Sequence, residues 1–331
     1  MSTVLPHAAP QAARDEVVAT ELGLGCASWL AQDAVWDPES DHAWSWCASD
    51  GSAYPYPEAT AWVVWACARV RDCAVFALPA HLYRRVDAAV TLLAELGHRG
   101  GLGRDGRAYT FDTAVAAAAV LAWTSDREAA RPLLAALDQQ LRARTAVQGG
   151  PALGQDTPAT PWSHAVGAHA LWACIPLVLA GRSHDARTWA RTVVAHLADR
   201  PDAHCRHAAT AYLHALAYGC AGLAVVGAEF VPVRERWLRV IAANLHTQGV
   251  SAWADGAGPR RADTTAQLAT LAVGDLALPS HIARGSLRAL RHFAAPEGGI
   301  CYEPDSSHRN TWCTAMAMEA AATWLARNRW R

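Results

Sequence analysis

Two kinds of helical segment alternate along the chain. In one kind, Arg, Asp and Glu occupy one face and Leu, Val and Ala the other, as in amphipathic helices that bury a single stripe. Between them run stretches with few charges, and a helix that is apolar on every side predicts complete burial. The amphipathic segments are Leu82–Leu96, Arg127–Leu141, Ser183–Leu197, Val233–Leu245 and Ile282–Phe293, and apolar examples are Ala114–Trp123 and Leu171–Ala180. Because alternating strand patterns are nearly absent, we predict an all-α fold.

A short motif opens the apolar segments and recurs at intervals of about fifty residues, the signature of a helical repeat. Its copies are Pro57–Trp62, Phe111–Val115, Pro161–Val166, Cys205–Thr210, Ala262–Gln267 and Asn310–Ala315. Glycines such as Gly97, Gly149, Gly249 and Gly298 are predicted to stop the charged helices. Each apolar helix then opens on Asp, Ser, Thr or Asn, which can cap a first turn.

Six apolar inner helices inside six amphipathic outer helices predict an (α/α)6 toroid over residues 16–331, with residues 1–15 as a flexible tail. The loops that enter the inner helices would all lie on one face. We therefore expect the first residues of those helices to converge on a central pocket.

Composition narrows the class of function. Hydrophobic residues make up 52% and charged residues 18% of 331, enough for a large core. The net charge of −1 does not favour nucleic acid or an anionic membrane as a partner. The apolar runs are far shorter than the ~20 residues of a membrane span. Nine scattered cysteines and no leader-like N-terminus favour a reducing cytoplasm.

Three carboxylates are the leading catalytic candidates. Glu58, Asp112 and Asp263 lie at inner-helix starts, where a carboxylate either caps the helix or, if desolvated, serves as a general acid. Asp112 and Asp263 are interpreted as equivalent positions of repeats two and five. Tyr54 precedes Glu58 in a stiff Tyr-Pro-Tyr-Pro-Glu segment and is a candidate partner in proton transfer.

Histidines and aromatic residues complete the predicted pocket. His164 and His207 hold corresponding positions in repeats three and four and are candidates for proton transfer. The predicted substrate-binding residues are Tyr56, Trp62, Trp162, Trp253, Trp312, Arg261 and His308. Tryptophan faces suit sugar rings as well as cations, and rim arginines suit an anionic group. The Cys and His spacings do not match a zinc site, and no metal or cofactor is predicted.

The stretches Tyr109–Ala114, Ala262–Ala266 and Asn310–Ala317 resemble repeats of the terpenoid cyclase/protein prenyltransferase-like toroid superfamily. Tyr54–Thr60 is also similar to a stretch of toroid proteins linked to polysaccharide metabolism. This resemblance implies the toroid but leaves the reaction open. Class II terpene cyclases carry Asp-x-Asp-Thr-Thr, whereas Arg261 stands in place of the first Asp here. Their pocket also usually adjoins a second helical domain, for which this chain is too short.

Three functions remain open from the sequence. The favoured hypothesis is an acid–base enzyme, a lyase, epimerase or hydrolase that acts on a sugar or glycan in the central cavity. The alternative is a terpene-cyclase-like enzyme that protonates an isoprenoid-like substrate through Asp263 or Asp112. The third is a toroid without catalytic activity that binds a glycan or a protein at the same face.

Overall fold

The computed structural model describes residues 11–47, 53–104, 107–146, 167–199, 211–274 and 278–329. Within these ranges the chain forms twelve α-helices, six outer and six inner. The outer helices are α1 (Gln11–Leu30), α3 (Ala80–His98), α5 (Arg127–Ala146), α7 (Ser183–Asp199), α9 (Val231–Ala243) and α11 (Ser280–Ala289). The inner helices are α2 (Pro57–Cys73), α4 (Thr110–Thr124), α6 (Cys174–Leu179, continuing a 3₁₀ segment Ala168–Ala173), α8 (Leu213–Ala224), α10 (Ala262–Gly274) and α12 (Thr311–Arg329).

The inner helices form a closed ring. Each packs against its neighbours in chain order, and the last, α12, packs against the first, α2. The outer helices lie around this ring, with α1 against α12 and α11. Alanine and small side chains on the inner helices are almost fully buried, which lets the six helices approach closely. The (α/α)6 toroid predicted from the sequence is confirmed, and no described helix is long and apolar enough to cross a membrane.

Helix α1 starts earlier than the sequence boundary. Residues 11–15, which the sequence analysis assigned to a flexible tail, belong to this helix, whereas residues 1–10 lie outside the described ranges. Asp15 is 2% exposed, and its Oδ1 accepts hydrogen bonds from Arg288 of α11 at 2.6 and 2.8 Å. This ion pair holds the first helical turn against the ring, which is why the boundary at residue 15 was wrong.

The role predicted for Gly97 as a helix stop is also wrong. Helix α3 continues through Gly97 to His98, and the turn that follows uses Gly100 and Gly101, both with positive φ. A Cβ atom on Gly97 would lie 2.6 Å from the backbone nitrogen of Leu133 in α5. The residue is small because two outer helices cross there. Gly249, another predicted stop, lies in a strand beyond the end of α9, and Gly149 lies outside the described residues.

Short antiparallel strands precede several inner helices. β2 (Gly103–Arg104) and β3 (Arg107–Ala108) lead into α4, and β4 (Leu245–His246), β5 (Gly249–Ser251) and β6 (Arg260–Arg261) lead into α10. β7 (Ile300–Cys301) and β8 (Arg309–Asn310) lead into α12, and β8 also pairs with β1 (Trp46–Cys47). These strands gather at one end of the ring and carry the chain to the inner-helix starts.

A buried threonine ties each of four inner helices to the segment before it. Thr60, Thr113, Thr265 and Thr314 each lie one turn into their helix and accept a backbone N–H at 2.9–3.0 Å. The donors are Ala43, Leu102, Val250 and Ile300. Since the contact recurs with the same geometry, these threonines define which residues are equivalent from one repeat to the next.

Candidate active site

The threonine register and the helix starts together identify six equivalent residues at the entrance of the ring. In α2, α4, α10 and α12 the fourth residue is the threonine and the second faces the same end of the ring. The third and fourth inner segments have leucine at the fourth place and are aligned by their starts. The second residues are Glu58, Phe111, His169, His214, Asp263 and Trp312, which we call the second-position ring. Neighbouring members meet: the rings of Phe111 and His169 are 5.9 Å apart, and His214 Nδ1 lies 3.5 Å from Asp263 Oδ2. Five of the six are buried.

Asp112 and Asp263 are therefore not equivalent, contrary to the sequence interpretation. Asp263 precedes its threonine by two residues and Asp112 by one, so the two side chains differ by ~100° around their helices. Phe111 holds the position in α4 that Asp263 holds in α10. Asp112 is nevertheless 2% exposed and remains a buried carboxylate at this end of the ring.

Histidines hold the second positions of the described inner segments of repeats three and four. His164, His207 and Trp162 lie outside the described residues. The third and fourth inner segments begin at Ala168 and Leu213, later than the motif suggested, and their second residues are His169 and His214. The available signal was the repeat length, because His214 precedes Asp263 by about fifty residues.

Asp263 has the most enclosed environment of the predicted acids. It is 1% exposed, and its Oδ1 accepts the Thr264 backbone N–H at 2.6 Å and the Thr264 hydroxyl at 3.1 Å. Its Oδ2 makes no hydrogen bond and lies 3.5 Å from His214 Nδ1. That Nδ1 lies 2.8 Å from Gln267 Oε1, and since an amide oxygen only accepts, Nδ1 carries the hydrogen. The carboxyl group therefore has one engaged oxygen and one oxygen available for a proton.

Burial favours the neutral form of the His214 imidazole. Burial lowers its pKa, and the charge of Asp263 only partly offsets this effect. The imidazole contacts Tyr218, with ring centroids 4.3 Å apart, and Tyr212, at 5.8 Å. Its position is thus set by Gln267 on one side and aromatic rings on the other.

Glu58 has a different set of partners. The Tyr56 hydroxyl donates to Oε2, and Trp62 Nε1 donates to Oε1 at 3.1 Å. Two donors stabilise the charged form of a carboxylate. Tyr54 contacts Tyr56 through its ring, at 5.4 Å between centroids, and so adjoins the residue whose hydroxyl donates to Glu58.

Aromatic side chains form the floor between the two carboxylates. Tyr218 stacks on Trp62 at 5.6 Å and contacts Phe111 at 4.5 Å and Trp172 at 5.5 Å. Burial first, and then the negative charges of Glu58 and Asp263, raise the pKa of Tyr218 well above its usual value. Tyr218 also contacts His214, the neighbour of Asp263, and stacks on Trp62, which donates to Glu58. These contacts bring repeats one and five to the same chamber.

The rim above this floor is also aromatic. The Tyr212 and Tyr302 hydroxyls are 3.3 Å apart, Tyr212 contacts Trp253 at 5.1 Å, and Tyr302 contacts Trp312 at 6.0 Å. Trp312 in turn contacts Tyr56 at 6.2 Å, which joins the two sides of the rim. Burial, followed by the charge of Asp263, raises the pKa of Tyr302 well above its usual value.

Arg261 and His308 occupy different parts of this end. The Arg261 guanidinium lies over the Tyr302 ring at 4.3 Å and pairs with Glu303 at 2.6 Å. His308 lies in the turn between β7 and β8, where its backbone N–H bonds the Ser306 hydroxyl at 3.0 Å. Among the described residues, no three His, Cys, Asp or Glu side chains are arranged to hold a metal ion.

Sequence reasoning missed several residues of this chamber. Tyr212, His214, Gln267, Tyr218 and Tyr302 were not selected, although each contacts or electrostatically influences another chamber residue. Tyr218 and Gln267 lie one turn below the second-position ring, inside helices whose composition indicates only buried core.

Solved structures share this fold at low sequence identity. A type II terpene cyclase from Scytonema, in complex with geranylgeranyl dihydroxybenzoate, matches with a TM-score of 0.60 and 16% identity over 95% of this chain and 99% of that chain. An unsaturated glucuronyl hydrolase specific for heparin matches with a TM-score of 0.65 and 12% identity, over 94% and 97%. An α-1,6-mannanase variant from Salegentibacter matches with a TM-score of 0.64 and 9% identity, over 95% and 99%.

These similarities show the fold, and the toroid resemblance noted from the sequence is confirmed at that level. No protein-family model and no curated protein matches the chain.

Proposed function

We propose that the chain is an acid–base enzyme that protonates a carbon–carbon double bond of an apolar, isoprenoid-like substrate, with Asp263 as the general acid. The observation that carries this proposal is the pairing of a buried carboxyl with an aromatic chamber. Asp263 is 1% exposed, offers one oxygen without a hydrogen bond, and adjoins the chamber floored by the rings of Tyr218, Phe111 and Trp62.

The proton transfer requires the carboxylic acid form of Asp263. The proton moves from Oδ2 to one alkene carbon, where a C–H bond forms, and the broken π bond leaves a carbocation on the other carbon. Aromatic faces stabilise a neighbouring cation, and exclusion of water prevents its premature capture. The cation is quenched by an internal double bond and then loses a proton. Glu58, whose carboxylate form is stabilised by Tyr56 and Trp62, is the candidate base for that step.

This chemistry fits the chamber better than glycan cleavage. Hydrolysis needs a water molecule beside the carboxylates, and sugar hydroxyls need polar partners. The described floor is made of Trp62, Phe111, Trp172 and Tyr218, which offers mainly ring surface. We therefore place the isoprenoid hypothesis before the sugar hypothesis that the sequence favoured.

One observation keeps an unsaturated sugar as a second candidate. The rim carries Arg261 beside Tyr302 and Trp312, a combination suited to a sugar ring with an anionic group. The glucuronyl hydrolase neighbour is named for unsaturated glucuronyl groups, which also contain a double bond. Protonation of the double bond by Asp263 would be common to both substrates.

The test is turnover in D2O with geranylgeranyl dihydroxybenzoate and, separately, an unsaturated glucuronyl disaccharide. We expect the isoprenoid to be converted to an isomer with one carbon-bound deuterium, detected by mass spectrometry. Asp263→Asn should lower the rate by about 10²–10⁴-fold, the usual contribution of a general acid. Asp255→Asn, in the exposed turn between β5 and β6, is the matched control and should retain full activity.

The outcomes separate the hypotheses. Deuterium incorporation only into the sugar would transfer the assignment to the second candidate. Binding of either probe without deuterium incorporation, or an unchanged rate in Asp263→Asn, would contradict the proposed acid. A circular dichroism spectrum and an unfolding midpoint like those of the wild type must accompany any loss of activity.

A further inference from the structure

A second cavity opens at the opposite end of the ring, beyond the aromatic floor. Its volume is about 340 Å³, within the range of small-molecule sites. It is lined by the later turns of the inner helices, including Trp65, Trp172, Ile175, Leu271, Met316 and Glu319. Leu179 and Val225 at its edge are among the exposed large hydrophobic residues of the described chain.

Glu319 is the unusual group in this wall. Its side chain is only 12% exposed, and Oε2 accepts a hydrogen bond from Trp65 Nε1 at 3.1 Å. Oε1 lies 3.7 Å from Arg69 Nε, too far for a hydrogen bond. Arg69 itself is 40% exposed, so solvent weakens its compensation of the buried charge. Burial raises the pKa of Glu319, because the charged form loses its contact with water.

The aromatic rings around this carboxylate define the class of ligand. Trp62 and Trp172 are 4.9 Å apart, and Trp65 meets Trp172 at 5.9 Å, so three indoles line one side of the cavity. Indole rings attract cations, and a carboxylate of low exposure adds a directed acceptor. An anionic ligand would be repelled by the carboxylate of Glu319. A sugar would bury hydroxyl groups against the apolar wall without hydrogen-bond partners.

From this combination we propose that the second cavity binds a hydrophobic organic cation, an ammonium group with an apolar chain. The ammonium donates to Glu319 Oε1 beside the indoles, and the chain lies along Ile175, Leu271 and Met316 towards the apolar edge. This cavity shares Trp62, Trp172 and Gln267 with the surroundings of Asp263. Its proposed ligand contacts Glu319, however, and does not depend on the function proposed for Asp263.

The test uses two probes of equal chain length, octylammonium and octanol, measured by isothermal titration calorimetry on the full chain at pH 7. We expect one octylammonium per chain, bound at least ~10-fold more tightly than octanol, since only the ammonium gains the carboxylate and the indole faces. Glu319→Gln should abolish this preference while retaining weak octanol binding, because Gln can still accept from Trp65. Glu229→Gln, which removes an exposed glutamate paired with Arg191, should leave both affinities unchanged.

A second variant keeps the test decisive if Glu319→Gln fails to fold. Ala224 is exposed and lines the cavity edge, so Ala224→Trp should block entry without disturbing the core and should abolish binding of both probes. Equal affinity of the wild type for octanol and octylammonium would overturn the proposal. So would the absence of binding, or octylammonium binding that persists unchanged in both variants.

Discussion

At the scale of single residues, the threonine contacts show which positions of the inner helices are equivalent, and the acidic residues alone do not. Thr265 accepts the Val250 N–H at 2.9 Å and donates to the Arg261 carbonyl at 2.6 Å. One hydroxyl thus joins β5, the end of β6 and the first turn of α10. This contact fixes the height at which Asp263 enters the chamber.

Replacement of this threonine tests the role of the contact. Thr265→Val keeps the shape but leaves the buried Val250 N–H without a partner, and should lower the free energy of unfolding by about 1–3 kcal/mol. Thr270→Val, one turn later, removes only a hydroxyl that donates to the Ala266 carbonyl within the helix, and should change stability by less than about 0.5 kcal/mol. Urea unfolding of both variants measures the difference. Equal losses would show that Thr265 is not a tie between elements.

The buried His214 makes the stability of the folded protein depend on pH. Burial lowers its pKa in the folded state below that in the unfolded chain, so its contribution to stability is present above the unfolded pKa of ~6.5 and is lost as the pH falls. Unfolding midpoints should therefore decrease between pH 7 and pH 5. His42, whose pKa burial also lowers, contributes with the same sign.

Two histidine variants test whether His214 causes this decrease in the unfolding midpoint. His214→Asn should flatten the decrease in the unfolding midpoint, whereas His184→Asn, exposed on α7, should retain the wild-type slope. An unaltered slope in His214→Asn would mean that the imidazole is not held neutral by the fold.

At the scale of elements, helix crossings decide where glycine is required. Gly97 lies inside α3, where a Cβ would meet the backbone of α5 at 2.6 Å, whereas a Cβ on Gly25 in α1 would meet no atom of another element within 4 Å. Both residues look alike in the sequence, because each interrupts an otherwise good helical segment.

The two glycines should respond in opposite directions to alanine. Gly97→Ala should lower the free energy of unfolding by roughly 1–3 kcal/mol, because the backbone of α5 must move. Gly25→Ala should raise it by about 0.5–1 kcal/mol through better helix propensity. Thermal unfolding of the two variants gives the sign directly, and stabilisation by Gly97→Ala would contradict the close crossing of α3 and α5.

Element boundaries also explain which parts of the site were predictable. Glu58 and Asp263 were selected because a carboxylate at the start of an apolar helix stands out in the sequence. His214 was missed because the fourth inner helix was placed too early, at a motif copy that ends before Leu213. If a helix start is predicted a few residues too early, the predicted direction of every later side chain around the helix is wrong. Composition alone therefore does not show which side chains face the chamber.

At the scale of the whole molecule, the ring depends on contacts between distant parts of the chain. Helix α12 packs on α2, and α1 packs on α12 and α11. The Asp15–Arg288 ion pair joins the first and last outer helices. The Asp15 side chain is buried, whereas the Arg288 side chain is 46% exposed.

Removal of the arginine tests this closure. Arg288→Met leaves a buried carboxylate without its cation and should lower the free energy of unfolding by about 1–3 kcal/mol, a value below that of a fully buried pair because Arg288 is half exposed. Arg239→Met breaks an exposed pair with Glu235 on α9 and should cost no more than about 0.5 kcal/mol. Equal effects in chemical denaturation would show that the Asp15 pair does not stabilise the closed ring.

The sequence by itself determined the helix content, the alternation of inner and outer helices and the kind of side chain at the ring entrance, because these follow from local periodicity and composition. Only the tertiary structure decided that Glu58, His214 and Asp263 share one register while Asp112 stands one residue away, and that Tyr218 lies near both carboxylates. The reason is geometric: a one-residue shift turns a helical side chain by ~100°, and the threonine contacts that set the register join residues eleven or more positions apart.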